Sequence, residues 1–109
     1  MKLITAIVNK EDSKNVCNEL IKAKFYVTRL ATTGGFLRSG NTTLLVGVED
    51  ERFDGAMEVI EKVCKSRKQI ATSPSPMSGA TGVYVPYPIE VVVGGATVFV
   101  LNVEKFVKI

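Results

Sequence analysis

No histidine occurs in the 109 residues, which removes the commonest proton-transfer group near neutral pH and the commonest metal ligand together. Cysteine is scarce as well. Cys17 and Cys64 make neither a metal-binding set nor a disulfide framework, and neither has a histidine to activate it as a nucleophile. Both sit among apolar neighbours in helical patterns and read as buried free thiols. Long hydrophobic runs are missing too: MKLITAIVNK offers only a short apolar stretch before Asn9, Lys10, Glu11 and Asp12, less than a signal peptide or a membrane span needs. A cytoplasmic protein with no membrane insertion is expected.

A large charge excess is also lacking, the formal net charge being +3. Nucleic-acid binders concentrate basic residues in a stripe or tail. Here the tight cluster is Lys62, Lys65, Arg67 and Lys68, at an expected helix C-terminus, where cations complement the helix dipole. Glu49, Asp50, Glu51 and Asp54 lie at the start of the same helix and are explained in the same way. No nucleic-acid partner, enzyme activity, metal or cofactor is suggested by these residues. Apolar residues at 46% and charged residues at 23% are ordinary for a folded chain, and the length suits one domain, residues 1–109.

Lys2 to Val8 is apolar and β-branched, a strand. In EDSKNVCNELIKAK, Asp12 or Ser13 is the candidate N-cap, and Val16, Cys17, Leu20, Ile21 and Lys24 follow helical spacing. FYVTRLATT and TTLLVGVE read as strands joined by a loop. Phe53, Met57, Ile60 and Cys64 mark a second helix, in which Gly55 lowers propensity and is read as permitting close packing on the sheet. Ser66 to Pro88 holds all four prolines and has no sustained period. A loop of that length in a compact domain usually means function or disorder; its Tyr84 and Tyr87 suit packing, binding or a neighbouring subunit. IEVVVGGATVFVLNV reads as a hairpin turning on Gly94 and Gly95.

The order β-α-β, β-α-β with an additional C-terminal strand is the pattern of an α+β, ferredoxin-like sandwich with both helices on one face. The last strands carry apolar residues on both faces, so a second subunit is the expected cover for the other side of the sheet.

ATTGGFLRSGNTT, residues 31–43, is the segment that most resembles a binding loop. Its glycines echo a phosphate loop, but Asn41 stands where that motif needs lysine, and the segment joins strand to strand, not strand to helix. Gly34 and Gly35 can expose backbone N–H groups, the threonines and Arg38 add hydroxyls and charge, and Phe36 and Leu37 can grip a flat ring. A hairpin whose Phe36 and Leu37 merely pack on the sheet fits the composition equally well.

TTGGFLRSGNTT together with PMSGATGVYVPYPIEVVVGGATVFVLNVEKF resembles the small PII-like receptors for the bacterial second messenger cyclic di-AMP, over essentially the whole chain. That resemblance implies a PII-like homotrimer of ferredoxin-like subunits, a non-enzymatic signal transducer with its ligand in clefts between subunits and an unknown downstream protein as partner. It implies a short loop at residues 34–41 and a long flexible one at 66–88. It also implies binding roles for Thr28 and Asn41 at polar atoms of the ligand, Gly35, Phe36 and Leu37 around adenine, Gly47 where backbone approaches, and Phe99 from across the interface. Lys24 and Tyr26 occupy positions that are commonly polar or basic in the family. The rival readings are a PII-like trimer sensing ATP or another mononucleotide, and a scaffold trimer binding only protein.

Overall fold

Alternation of small and branched apolar residues with partly exposed ones shapes the centre of the sheet. The computed structural model describes residues 1–30, 40–73 and 87–109, with the side chains of 71–73 and 87 excepted. Strand β1 (Lys2–Asn9) is central, paired antiparallel with β3 (Asn41–Val48) on one side and β6 (Ala96–Asn102) on the other, while β2 (Val27–Leu30) joins β3. The order β2-β3-β1-β6 is that of a ferredoxin-like α+β sandwich. Helices α1 (Lys10–Lys22) and α2 (Phe53–Cys64) cover one face. There Ile4, Ala6, Val8, Leu44 and Val46 are fully buried against Val16, Leu20, Ala56 and Ile60, because every second residue of a strand points to the same side.

Several expectations need correction. The N-cap of α1 is Asn9, whose side chain accepts the Glu11 amide at 3.0 Å; Asp12 and Ser13 lie inside the first turn and are buried. Ile21 is 57% exposed, so the buried stripe runs through Asp12, Ser13, Val16 and Leu20 instead. Of the basic cluster, only Lys62 lies in the last turn of α2; Arg67 and Lys68 stand on a strand, where Lys68 pairs with Glu90 at 3.2 Å. Phe53 is preceded by a short 3-10 turn over Asp50–Arg52.

The segment read as a loop from Ser66 to Pro88 contains strand β4 (Arg67–Ser73), which pairs with β5 (Tyr87–Val93) in a separate two-stranded ribbon. Tyr84, and residues 34–39 of the expected short loop, lie outside the described residues. Gly94 and Gly95 do not close a hairpin. They carry the chain from the ribbon into β6, both with positive φ, +80° and +87°, a conformation that glycine adopts without Cβ strain. The final strand is thus the fourth of the main sheet, and the extra pair is inserted before it rather than added at the C-terminus. Alternating valines mislead here, because apolar alternation marks a strand without naming its partner. None of residues 67–70 and 88–93 is buried. The radius of gyration is 18.5 Å, against roughly 13 Å for a compact domain of this length, and a two-stranded ribbon is marginal without something to pack on.

Cys64 is buried as expected and Cys17 partly so. Burial, assisted by the nearby Asp12 carboxylate, pushes the Cys64 thiol up to about 11. At pH 8 it is almost wholly protonated, and the thiolate is the reactive form. Iodoacetamide at pH 8 should modify Cys64 only on unfolding; alkylation of Cys64 in the native chain at the rate of a free thiol would contradict this burial.

Gly55 is exposed, and a Cβ there would meet only the Phe25 ring, at 3.7 Å, so close packing does not require it. Gly55→Ala should stabilise the fold by about 0.5–1 kcal/mol by improving the helix and restricting the unfolded chain, read as a higher urea midpoint. A lowered midpoint would show that α2 needs glycine after all.

Candidate functional site

The sheet face away from the helices is apolar and open. Register places Leu3, Thr5 and Ile7 of β1 beside Thr43, Leu45 and Gly47 of β3 and Thr97, Phe99 and Leu101 of β6. Leu30, Phe99 and Leu101 are 40%, 46% and 53% exposed. Thr28 joins this face from β2, opposite Leu45. One row therefore crosses the whole sheet as Thr28, Leu45, Thr5 and Phe99. At about 4.8 Å between neighbouring strands, Thr28 and Phe99 stand roughly 14 Å apart in one chain. They lie on opposite edge strands and cannot grip the same ring from within one subunit.

Asn41 is the first residue of β3, paired with Asn9. It lines a hollow of about 240 Å³ together with Ile7, Gly94, Gly95, Ala96 and Thr97. Those five neighbours were not foreseen as site residues. Finding them requires knowing that β6, not β5, lies beside β1, and nothing local in the sequence says so. Gly47 is exposed on the open face, and a Cβ added there would meet nothing within 4 Å among the described residues. Gly35, Phe36 and Leu37 lie outside the described residues.

Lys24 and Tyr26 owe their positions to the end of α1. Lys24 has φ +70°, an unusual conformation for a non-glycine residue. The turn is held by Arg52, whose guanidinium donates to the carbonyls of Ala23 at 2.6 Å and Lys24 at 3.0 Å while lying 4.1 Å over the Phe25 ring. The ring is buried and the next residue, Tyr26, is turned out, 89% exposed. Lys24 too is exposed. Arg29 alternates with Thr28 and belongs to the helix-side register, opposite Leu44. Its charge is felt by the Cys17 thiol, which burial raises and Arg29 lowers.

Among the described residues no group of three or more histidine, cysteine, aspartate or glutamate side chains is placed to hold a metal ion. Among them, too, no helix is long and apolar enough to cross a membrane. The open apolar face and the hollow at Asn41 are the features of this ferredoxin-like fold that suit binding.

The family model of the cyclic-di-AMP receptor matches residues 1–109, and the chain belongs to that family. It is accordingly a receptor, not an enzyme, and its ligand is cyclic di-AMP. Among solved structures, a functionally unknown protein from Pediococcus pentosaceus ATCC 25745 is 39% identical, with a TM-score of 0.78 over 99% of this chain and 96% of that one.

Replacing Lys24 by glycine should remove the cost of positive φ and stabilise the fold by up to about 1 kcal/mol, measured by chemical denaturation. Destabilisation by Lys24→Gly would mean that the lysine side chain contributes more than its backbone costs.

Proposed function

We propose that the chain works as a homotrimer that binds cyclic di-AMP in clefts between adjacent subunits and transmits occupancy to a protein partner. The observation that carries this reading is the separation of Thr28 and Phe99 on opposite edges of one sheet. A cleft where the β2 edge of one subunit meets the β6 edge of the next unites them, and a head-to-tail contact of that kind closes into a ring. The open face, with Leu3, Ile7, Leu45, Phe99 and Leu101 in register, supports burial against other copies, since a contiguous apolar patch is uncommon on a monomer.

In such a cleft the ligand's two phosphates and two purines need different partners. Thr28 and Asn41 supply a hydroxyl and an amide for polar atoms. Gly47, bare of side chain on the sheet face, lets a ring or sugar lie against the strand. Gly35, Phe36 and Leu37 enclose adenine, and Phe99 from the neighbouring subunit adds an aromatic wall. Lys24, held at the end of α1, adds positive charge near the same edge, and the exposed Tyr26 adds a ring and a hydroxyl. Two purines in one molecule favour cyclic di-AMP over a mononucleotide such as ATP. The regulated protein reads the segment between α2 and β6, whose β4–β5 ribbon has no buried residue among those described.

Light scattering should give a mass of three times 11.8 kDa, reduced to the monomer by Leu101→Glu. Calorimetry should find one cyclic di-AMP per subunit, with cyclic di-GMP and ATP much weaker. Asn41→Ala, Phe36→Ala and Phe99→Ala should each weaken binding by about tenfold or more, the loss expected for one hydrogen bond to a charged group or one aromatic contact. Full-strength binding by a monomeric Leu101→Glu chain would overturn the shared cleft, and equal binding of all three nucleotides would overturn the specificity.

A further inference from the structure

We infer that Asp12 and Arg67 form a clamp that couples the Asn41 side of the hollow to the β4–β5 ribbon, so that the first turn of α1 passes ligand occupancy to the ribbon. This inference rests on the ligand reading above for what drives the clamp, and on geometry for the clamp itself. Asp12 is 4% exposed and takes both guanidinium nitrogens of Arg67, Nη1 to Oδ2 at 3.2 Å and Nη2 to Oδ1 at 2.8 Å. Arg67 Nη1 also donates to the Lys65 carbonyl at 3.2 Å. Arg67 is the first residue of the ribbon.

The far end of the ribbon is fixed at the same place. A Cβ on Gly94 would lie 2.5 Å from Arg67 Nη1, 3.0 Å from the Lys65 oxygen and 3.1 Å from Asp12 Oδ2, so the outgoing backbone passes directly over the ion pair. The Gly95 amide then donates to the Cys64 carbonyl. Both ends of the ribbon thus meet on Asp12 and the end of α2. On the preceding residues, the Lys10 amide donates to the Gly40 carbonyl and Asn9 pairs with Asn41. The consecutive residues Asn9 to Asp12 therefore hold the start of β3 at one end and the ribbon's base at the other, and Asn41 and Gly94 line one hollow.

A bidentate pair on a buried carboxylate favours two discrete arrangements over gradual bending. Opening it costs the buried Asp12 carboxylate two donors while Arg67, whose side chain is 42% exposed, keeps access to water, so the penalty falls on Asp12; a coupling path needs an element with two such states. Arg67 and Asp12 are positioning residues here and touch no ligand in this scheme.

Residue-resolved amide exchange on the full chain tests the inference with or without ligand. In the free protein Arg67→Met should speed exchange of the Gly95 amide and of the Lys10 amide by at least about fivefold, the lower end of ordinary couplings, while Ala6 and Val8 in the centre of β1 stay unchanged. Asp12→Asn should do the same, and Arg67→Lys, which keeps the charge without the fork, should give a smaller effect and serves if Arg67→Met does not fold. Acceleration at Gly95 alone would reduce the pair to a local staple and overturn the inference, as would equal acceleration throughout the chain. With cyclic di-AMP added, slower exchange at residues 41–43 should be accompanied by a change in 89–93 in the wild type and not in Arg67→Met. An equal response of 89–93 in both would also overturn it. A wild type that fails to bind cyclic di-AMP would sink the ligand reading and leave the free-protein result to decide the clamp.

Discussion

The period-two alternation of β1 and β3 is the constraint from which the rest follows. Ile4, Ala6 and Val8 with Leu44, Val46 and Val48 give one face to the helices. Leu3, Ile7 and Leu45 give the other face a second apolar surface that no helix covers among the described residues. A two-layer sandwich needs only one apolar face. Dispersing that second face in solvent gains nothing for a lone subunit, whereas burying it between subunits converts it into assembly energy. The same alternation aims Thr28, Gly47 and Phe99 at that second face, so the proposed ligand residues and the apolar residues available for association share one surface.

The β-α-β order was legible because each half of the chain announces itself locally. Val16 and Leu20 keep helical spacing, Phe53 to Cys64 keeps it better, and the strands of the centre are short runs bounded by turn residues. What could not be read is pairing. Apolar alternation does not distinguish the partners of Ile89, Val91 and Val93 from those of Val98 and Val100; the former belong to a ribbon with β4 and the latter to the main sheet. Arg67 shows the same limit. Beside Lys65 and Lys68 it reads as one more cation at a helix end, yet its guanidinium reaches a carboxylate 55 residues earlier in the chain. Asp12 likewise reads as a cap, a role that Asn9 fills, because a capping residue is recognised by composition and the true cap is chosen by where the strand ends.

The candidate site was legible in a different way. Thr28, Asn41, Gly47 and Phe99 came from resemblance, not from spacing, and the register places Thr28, Gly47 and Phe99 on the open face. The neighbours of Asn41, namely Ile7, Gly94, Gly95, Ala96 and Thr97, carry no chemical signature. They become site residues only through the strand order β3-β1-β6, a long-range fact that no short window of sequence contains. Gly94 is the clearest instance: its positive φ is explained locally, but its need to be glycine comes from Arg67, Lys65 and Asp12 crowding the space where a Cβ would stand.

In the proposed trimer, half of the binding site stands on each edge of a sheet, and that has a mechanical consequence. A ligand bridging Thr28 of one subunit and Phe99 of the next bonds only to the assembled ring, so its affinity contains the free energy of holding two subunits in one geometry. Small changes in subunit spacing then alter occupancy, and occupancy stiffens spacing, by reciprocal linkage. The β6 edge, where the proposed neighbour docks, is also the strand into which Gly94 and Gly95 feed the ribbon. Contact made on Phe99 is thus carried along β6 to Ala96 and Thr97, at the hollow where Asn41 and the ribbon's base already meet. In that proposal subunit contact, ligand and ribbon converge on one strand, and a receptor without chemistry of its own needs such convergence to turn binding into a change of surface.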